Sequence, residues 1–295
     1  MDKTIRIGTR ESLLAVAQAE LVKRYLETAH PEYQVTLVKM KTAGDRILDR
    51  SLDQIGGKGL FVKELDMALY ENRTDLSVHS LKDLPMEVPK DLPVLGYSRR
   101  ETPEDALVLP SGYTQPDLKK PIGTSSPRRR VQLARLYPGC RLCPVRGNIV
   151  TRLQKLDSGV CGALVLAAAG LVRLNLSHRI SRLFSTDEMV PAAGQGILAV
   201  QAREDFDAGL LAGFFDADAG WQALAERSFV RALDGGCASP VAAYASIRGA
   251  QMTLTGLLAE EGERDAVRLS LTAPRHEAEQ LGVRLAEKIS RSVRN

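Results

Sequence analysis

Apolar and polar positions switch between two periods along the first eighty residues of this chain. Residues 4–9 alternate as a strand, and residues 12 to about 27 carry Leu13, Leu14, Val16, Ala17, Leu21 and Val22 at helical spacing. Val35, Leu37 and Val38 mark a second strand over 34–40. Gly56-Gly57-Lys58-Gly59 opens a helix from 60 to about 71, and 75–79 reads as a short strand that leaves the sheet as a loop over 80–85. This β-α-β-α-β order predicts a mostly parallel sheet flanked by helices.

The pattern then restarts. Arg6-Ile7-Gly8-Thr9 is echoed by Pro121-Ile122-Gly123-Thr124, and each run leads into a helix. In the second copy Ser125 or Ser126 can cap the helix, and Pro127 fits its first turn. A helix over 127–137, a strand over 141–145, a helix over 149–157 and a strand over 163–166 complete a second α/β domain. After Pro191-Ala192-Ala193-Gly194-Gln195-Gly196, residues 197–203 read as a strand that returns to the first domain. A helix over 220–233 ends at Asp234-Gly235-Gly236-Cys237. Strands near 241–248, 251–259 and 264–272, then a helix from 274 to about 292, predict a small antiparallel α+β domain. The expected division is 1–97 with 197–217, then 101–192, then 219–295.

Composition narrows the class. A chain of 295 residues with 44% hydrophobic and 26% charged residues is neither disordered nor collagen-like. The longest apolar stretch, 161–172, is shorter than the roughly 20 residues a membrane span needs. The opening MDKTIRIGTR has no apolar leader core, and four cysteines are too few for a disulfide scaffold, so a reducing cytoplasm is expected. The net charge of +4 hides an asymmetry. From Lys119 to Arg182 there are thirteen Lys and Arg against Asp157 alone, so this stretch carries +12 and the rest −8. Arginines outnumber lysines 28 to 12, and their planar forks suit carboxylates and phosphates. The segment reads as a surface for a polyanion, with a solvated basic face or a nucleic-acid patch as the plainer alternatives.

Individual motifs have a functional and a bland reading. Each Ile-Gly-Thr turn offers unpaired N–H groups at a helix N-terminus, which binds anions or is simply capped. Gly56-Gly57-Lys58-Gly59 lacks the Walker spacing, which favours an anion-touching loop over a nucleotide site. Asp83 follows a short strand, where ligands of α/β sheets bind, but it also suits a turn before Pro85. Cys237 after two glycines is either a free nucleophile or tether, or a small buried hydrophobe. Cys140 and Cys143 form a lone CxxC with no second pair, and no histidine has ligand spacing, so no metal site is expected.

In order, RIGTRES, GDRILD, GGKGLFVKEL, VHSLKDLP, GTSSPRRR, RGNIVTRLQKLD, AAGQG and LDGGCASP span essentially the whole chain. Together they resemble the porphobilinogen deaminase (hydroxymethylbilane synthase) family. The resemblance implies two α/β domains similar to periplasmic binding proteins, hinged over a cleft, plus a smaller α+β domain with an antiparallel sheet. It implies a transferase of porphyrin and heme biosynthesis. Four porphobilinogen molecules join head to tail with loss of ammonia, and water releases 1-hydroxymethylbilane. A dipyrromethane cofactor built from the substrate stays attached by a thioether, here to Cys237. Asp83 matches the catalytic carboxylate. Ser80, Lys82, Thr124, Ser125, Ser126, Arg128 and Arg129 match cofactor-holding positions. Arg10, Ser12, Arg146, Arg152, Arg173 and Gln195 match positions for substrate and elongation, and Lys58 and Phe61 match a mobile loop. The family further implies a cytoplasmic monomer, with no nucleic-acid or membrane partner, whose product passes to the next tetrapyrrole enzyme.

Each pyrrole brings two carboxylates, so the arginine-rich stretch gains a reason. Two positions depart from the pattern. Gln54 stands where many members have lysine, and Pro127 stands where leucine is usual. Two rivals account for less. An anion-binding receptor leaves Cys237 unexplained, and a nucleic-acid binder lacks a stacking platform, Tyr137 being the one aromatic between Lys119 and Arg182.

Overall fold

The structure is a computed structural model that describes residues 3–42, 62–234, 240–259 and 266–294. By contact the chain forms two units, Met1–Arg100 with Ile197–Gly220, and Glu101–Gly196 with Trp221–Asn295. In chain order the first unit begins with β1 (Lys3–Arg10), α1 (Leu13–Ala29), β2 (Tyr33–Met40), α2 (Lys63–Tyr70), β3 (Leu76–Ser80) and β4 (Val94–Tyr97). The second follows with β5 (Asp105–Val108), β6 (Ile122–Gly123), α3 (Pro127–Leu136), β7 (Leu142–Cys143), α4 (Ile149–Asp157), β8 (Ala163–Ala167), α5 (Ala168–Arg173) and β9 (Arg182–Phe184). The chain then returns to the first unit as β10 (Leu198–Ala202). It continues with α6 (Ala217–Ala232), β11 (Val241–Arg248), β12 (Gln251–Ala259), β13 (Ala266–Pro274) and α7 (Ala278–Arg294).

The first sheet has the order β2-β1-β3-β10-β4 and the second β7-β6-β8-β5-β9. They repeat one plan. In each, three parallel strands are followed by an antiparallel strand and then a fifth antiparallel to that one. The mostly parallel sheet read from the sequence holds in each case for four of the five strands, with one strand reversed. The difference lies in β10, which pairs antiparallel with β3 from Leu198↔Ser80 to Ala202↔Leu76. All five of its residues are buried, as a central strand requires. Strands β4, β5 and β9 and the short helix α5 were missed. With three to six residues each, they are too short to show a period.

Helix α1 forms because Ser12 caps it and Ala15, Gln18, Ala19, Val22 and Leu26 make one buried stripe. Ala19, Val22 and Leu26 of that stripe pack with Ile5, Ile7, Val35, Leu76, Val78 and Val200 of the sheet. In the second unit, Val108, Leu164 and Leu166 meet Leu153 and Leu156 of α4, while Leu107, Ile122 and Val165 meet Leu133 of α3. Helices thus cover both faces of that sheet.

Strands β11, β12 and β13 form an antiparallel meander. Gly249 turns the first hairpin with a φ of +59°. The last helix begins at Ala278 and not at 274. Pro274 ends β13 opposite Gln251, at the edge of the sheet where a missing N–H does least harm, and a 3-10 turn (Arg275–Glu277) intervenes. Gly282 of α7 lies against α6. A Cβ there would fall 2.5 Å from the Ala225 carbonyl oxygen and 2.7 Å from the Phe229 nitrogen. Backbone atoms cannot rotate away, so Gly282→Ala is expected to lower stability by about 1–3 kcal/mol. An unchanged urea midpoint would contradict that close approach. No helix among the described residues is long and apolar enough to cross a membrane.

Candidate functional site

In the first unit, the parallel pair β1 and β3 ends at one edge of the sheet, where α/β folds bind ligands. Arg10 closes β1, and Ser12 caps α1 with its Oγ accepting from the Ala15 N–H at 3.3 Å. At the end of β3, Ser80 Oγ accepts from the Gln18 amide at 2.9 Å. One 3-10 turn, Leu81–Asp83, follows. Leu81 and Leu84 are buried, and the Leu81 N–H donates to the Ile197 carbonyl at 3.0 Å. These apolar anchors leave Lys82 half-buried and Asp83 exposed. The turn therefore presents a lysine and a carboxylate on a fixed backbone.

In the second unit the matching position is the β6 exit. A Cβ on Gly123 would fall 2.6 Å from Leu164 and 2.7 Å from Val145, so glycine is required for this turn to seat. Thr124 Oγ1 accepts from the Ser126 N–H at 3.2 Å, and Ser126 Oγ accepts from the Arg129 N–H at 3.5 Å as the cap of α3. Ser125 is exposed and its hydroxyl donates to the Val145 carbonyl at 3.1 Å. Pro127 occupies the first turn of α3 without disturbing it. Nearby, Arg152 Nε donates to the Gly147 carbonyl at 2.7 Å, and the Arg146 carbonyl accepts from Lys155 at 3.0 Å.

The two arginines that begin α3 are not open hands. Arg128 is 4% exposed, Arg129 7%, and both grip Asp105 of β5, which is 0% exposed. Arg128 Nη1 reaches Asp105 Oδ2 at 2.6 Å, and Arg129 reaches Oδ1 through Nη2 at 2.7 Å and Nε at 3.0 Å. Arg128 Nη2 also reaches Asp105 Oδ1 at 3.3 Å, and both side chains donate to backbone carbonyls, Arg128 to Val190 at 2.8 Å and Arg129 to Val165 at 3.1 Å. Gln195, fully buried, donates from its amide to Asp105 Oδ1 at 3.0 Å and to the Pro103 carbonyl at 2.7 Å. Burial alone would raise the Asp105 pKa. The charges of Arg128 and Arg129, with their hydrogen bonds, overrule it and hold the carboxyl far below the usual range. Burial pulls Arg128 downward against the opposing pull of Asp105, and a guanidinium stays charged regardless. Two positive charges against one leave the cluster net positive. Arg173 donates to the Gly196 carbonyl at 2.6 Å, and burial lowers its pKa to about 10 against the charge of Glu101.

The sequence is recognisable at family level. Residues 5–209 match the family model described as "Porphobilinogen deaminase, dipyromethane cofactor binding domain", and residues 221–291 match "Porphobilinogen deaminase, C-terminal domain". The chain belongs to the porphobilinogen deaminase family. It is 52% identical over 282 residues to a porphobilinogen deaminase of Acetivibrio thermocellus, covering 96% of each chain. It is 51% identical over 282 residues to one from Alkaliphilus oremlandii, covering 96% of this chain and 95% of that one. A TRAP periplasmic solute binding protein from Desulfovibrio salexigens is 15% identical, with a TM-score of 0.41 over 76% of this chain and 75% of that one.

Within a porphobilinogen deaminase framework, the donor set of the second unit suits a carboxylate-bearing dipyrromethane. It combines three hydroxyls, the N-terminus of a ten-residue helix and a net positive arginine cluster. Cys237, Lys58, Phe61 and Gln54 lie outside the described residues. Asp105 and Gln18 were not found by sequence reasoning. Asp105 sits in an unremarkable Glu-Asp-Ala run, and Gln18 shares a stripe with Ala15, Ala19, Val22 and Leu26. Cys140 and Cys143 are half-buried and Cys161 is buried, and burial pushes the Cys161 thiol up to about 11.

Proposed function

We propose that the chain is a hydroxymethylbilane synthase, condensing four porphobilinogen molecules head to tail with loss of ammonia and releasing 1-hydroxymethylbilane. The observation that carries this reading is the Leu81–Asp83 turn, which holds an exposed carboxylate beside Lys82 and Ser80 at the sheet edge shared with Arg10. A dipyrromethane on Cys237 would supply the nucleophilic pyrrole carbon from which the chain grows. Lys82, Ser80 and the hydroxyls of Thr124, Ser125 and Ser126 would hold its carboxylates, with Arg128 and Arg129 supporting them by the net positive charge of their buried cluster with Asp105. Arg10, Ser12, Arg146, Arg152 and Arg173 would receive the carboxylates of incoming substrate, Gln195 would act from beneath through Asp105, and Lys58 and Phe61 would contribute during elongation.

Asp83 has the work of charge. When porphobilinogen loses ammonia, its pyrrole becomes electron-poor, and carbon–carbon bond formation places positive charge on pyrrole nitrogen. A fixed carboxylate stabilises that charge and accepts or returns the proton. The three-domain division, a monomeric state, cytoplasmic location and onward transfer of product belong to the same proposal.

Intact mass of the purified protein, before and after porphobilinogen, tests it. The expected result is a covalent excess of two linked pyrrole units on the Cys237 peptide, then further steps of one unit. Cys237→Ser is expected to show neither. A wild-type protein that stays unmodified with both porphobilinogen and preformed tetrapyrrole would remove Cys237 from its role and overturn the reading.

A further inference from the structure

The turn that carries Lys82 and Asp83 is gripped from behind by a side chain that the motifs do not include. His79 is the residue before Ser80 on β3, so its side chain takes the opposite face. It is 6% exposed, and its Nε2 lies 3.0 Å from Oε1 of Gln201 on β10. The two are diagonal neighbours, since His79 pairs with Ala199 and Gln201 with Ser77. Gln201 is 0% exposed, and its Nε2 donates to the Leu92 carbonyl at 2.9 Å.

The chemistry of these partners fixes the protons. A backbone carbonyl only accepts, so the amide must turn its NH2 toward Leu92. Its oxygen then faces His79, which must carry a proton on Nε2. The imidazole is neutral. Burial drives its pKa down to about 4, the Gln201 bond opposes this, and the charge of Arg10 adds to it. An amide partner, unlike a carboxylate, does not draw a second proton onto the ring.

Leu92 gives the pair its purpose. It lies beyond the turn, buried, with its N–H donating to the Pro89 carbonyl at 3.2 Å. One buried amide therefore holds His79 just before the turn and Leu92 after it. We infer that Gln201, with His79, is a positioning residue that clamps both ends of segment 80–91 and so sets the place of Lys82 and Asp83. This rests on the proposal that Asp83 acts in turnover, and it adds residues that touch no reacting atom.

Steady-state kinetics on a double-variant cycle tests it. Gln201→Leu is expected to lower kcat roughly 100-fold, as an ångström-scale misplacement does, with KM within about twofold. In an Asp83→Asn background the same change is expected to cost less than about twofold, because there is no carboxylate left to misplace. A merely structural role would give equal losses in both backgrounds, and that result overturns the inference. So does near-normal kcat for Gln201→Leu. Near-normal turnover of Asp83→Asn alone would instead refute the role of Asp83. Should Gln201→Leu not fold, His79→Gln keeps a donor near Nε2 and His79→Leu removes it. The first is expected to retain most of kcat and the second to lose it, and equal kcat for the two overturns the inference. Imidazole nitrogen NMR on the unaltered protein should show His79 as one Nε2–H tautomer from pH 5 to 8 (about 4 being its pKa). An Nδ1–H tautomer would overturn the clamp.

Discussion

Asp83→Asn is expected to leave the fold intact and to reduce porphobilinogen turnover by about 10²–10⁴-fold, the range for a lost general acid–base group. Both halves follow from the 3-10 turn. Its stability comes from the buried Leu81 and Leu84 and from the Leu81 N–H bond to Ile197. Asp83 is exposed, so removing its charge should change stability by no more than about 0.5 kcal/mol. Asparagine keeps the shape but can neither balance a cationic pyrrole nor take its proton. Asp83→Glu keeps the charge one methylene further out and should lose less. The check is the rate of porphobilinogen consumption by purified variants whose unfolding midpoints match the wild type. Near-normal consumption by Asp83→Asn would sink the assignment.

Asp105→Ala should unfold far more easily than the wild type. It leaves two buried guanidiniums without their shared carboxylate, and breaking a buried pair this way costs about 3–5 kcal/mol. Arg128 and Arg129 are fixed by other bonds to backbone carbonyls, so they cannot swing out to water cheaply. The pH dependence has a definite sign. The folded carboxyl has a lowered pKa, so its contribution is complete above the unfolded value of about 3.9 and is lost only as pH falls below that. The gap between wild type and Asp105→Ala should therefore be constant from pH 8 to about 5 and narrow in stronger acid. Urea unfolding at pH 7 and pH 3 measures it. A gap under about 1 kcal/mol at pH 7 would mean that the cluster relaxes around the loss.

These two carboxylates show what a sequence can and cannot display. Asp83 stands out in the sequence because it sits in a run, Ser-Leu-Lys-Asp-Leu-Pro, whose neighbours match a family pattern. Asp105 does not, because its importance comes from strand β5 lying beneath α3 in a different stretch of chain. Arg128 and Arg129 read as groups open to a ligand. Adjacent helical residues point about 100° apart, so burying both requires packing on two sides, which only the tertiary structure reveals. The long elements β1, α1, β2 and β11 to α7 were legible from their periods. The antiparallel placement of β10 was not, because a period of two says nothing about which way a strand runs.

The repeated sheet plan has a consequence for how the protein is made. β10 lies between β3 and β4, yet it leaves the ribosome only after residues 101–196. At roughly 5–20 residues per second, the nascent first unit waits about 5–20 s with β3 and β4 both lacking the strand that pairs with them. The second α/β sheet suffers no such delay, since all five of its strands emerge in one uninterrupted stretch. The order of completion during translation is thus the reverse of the order of synthesis.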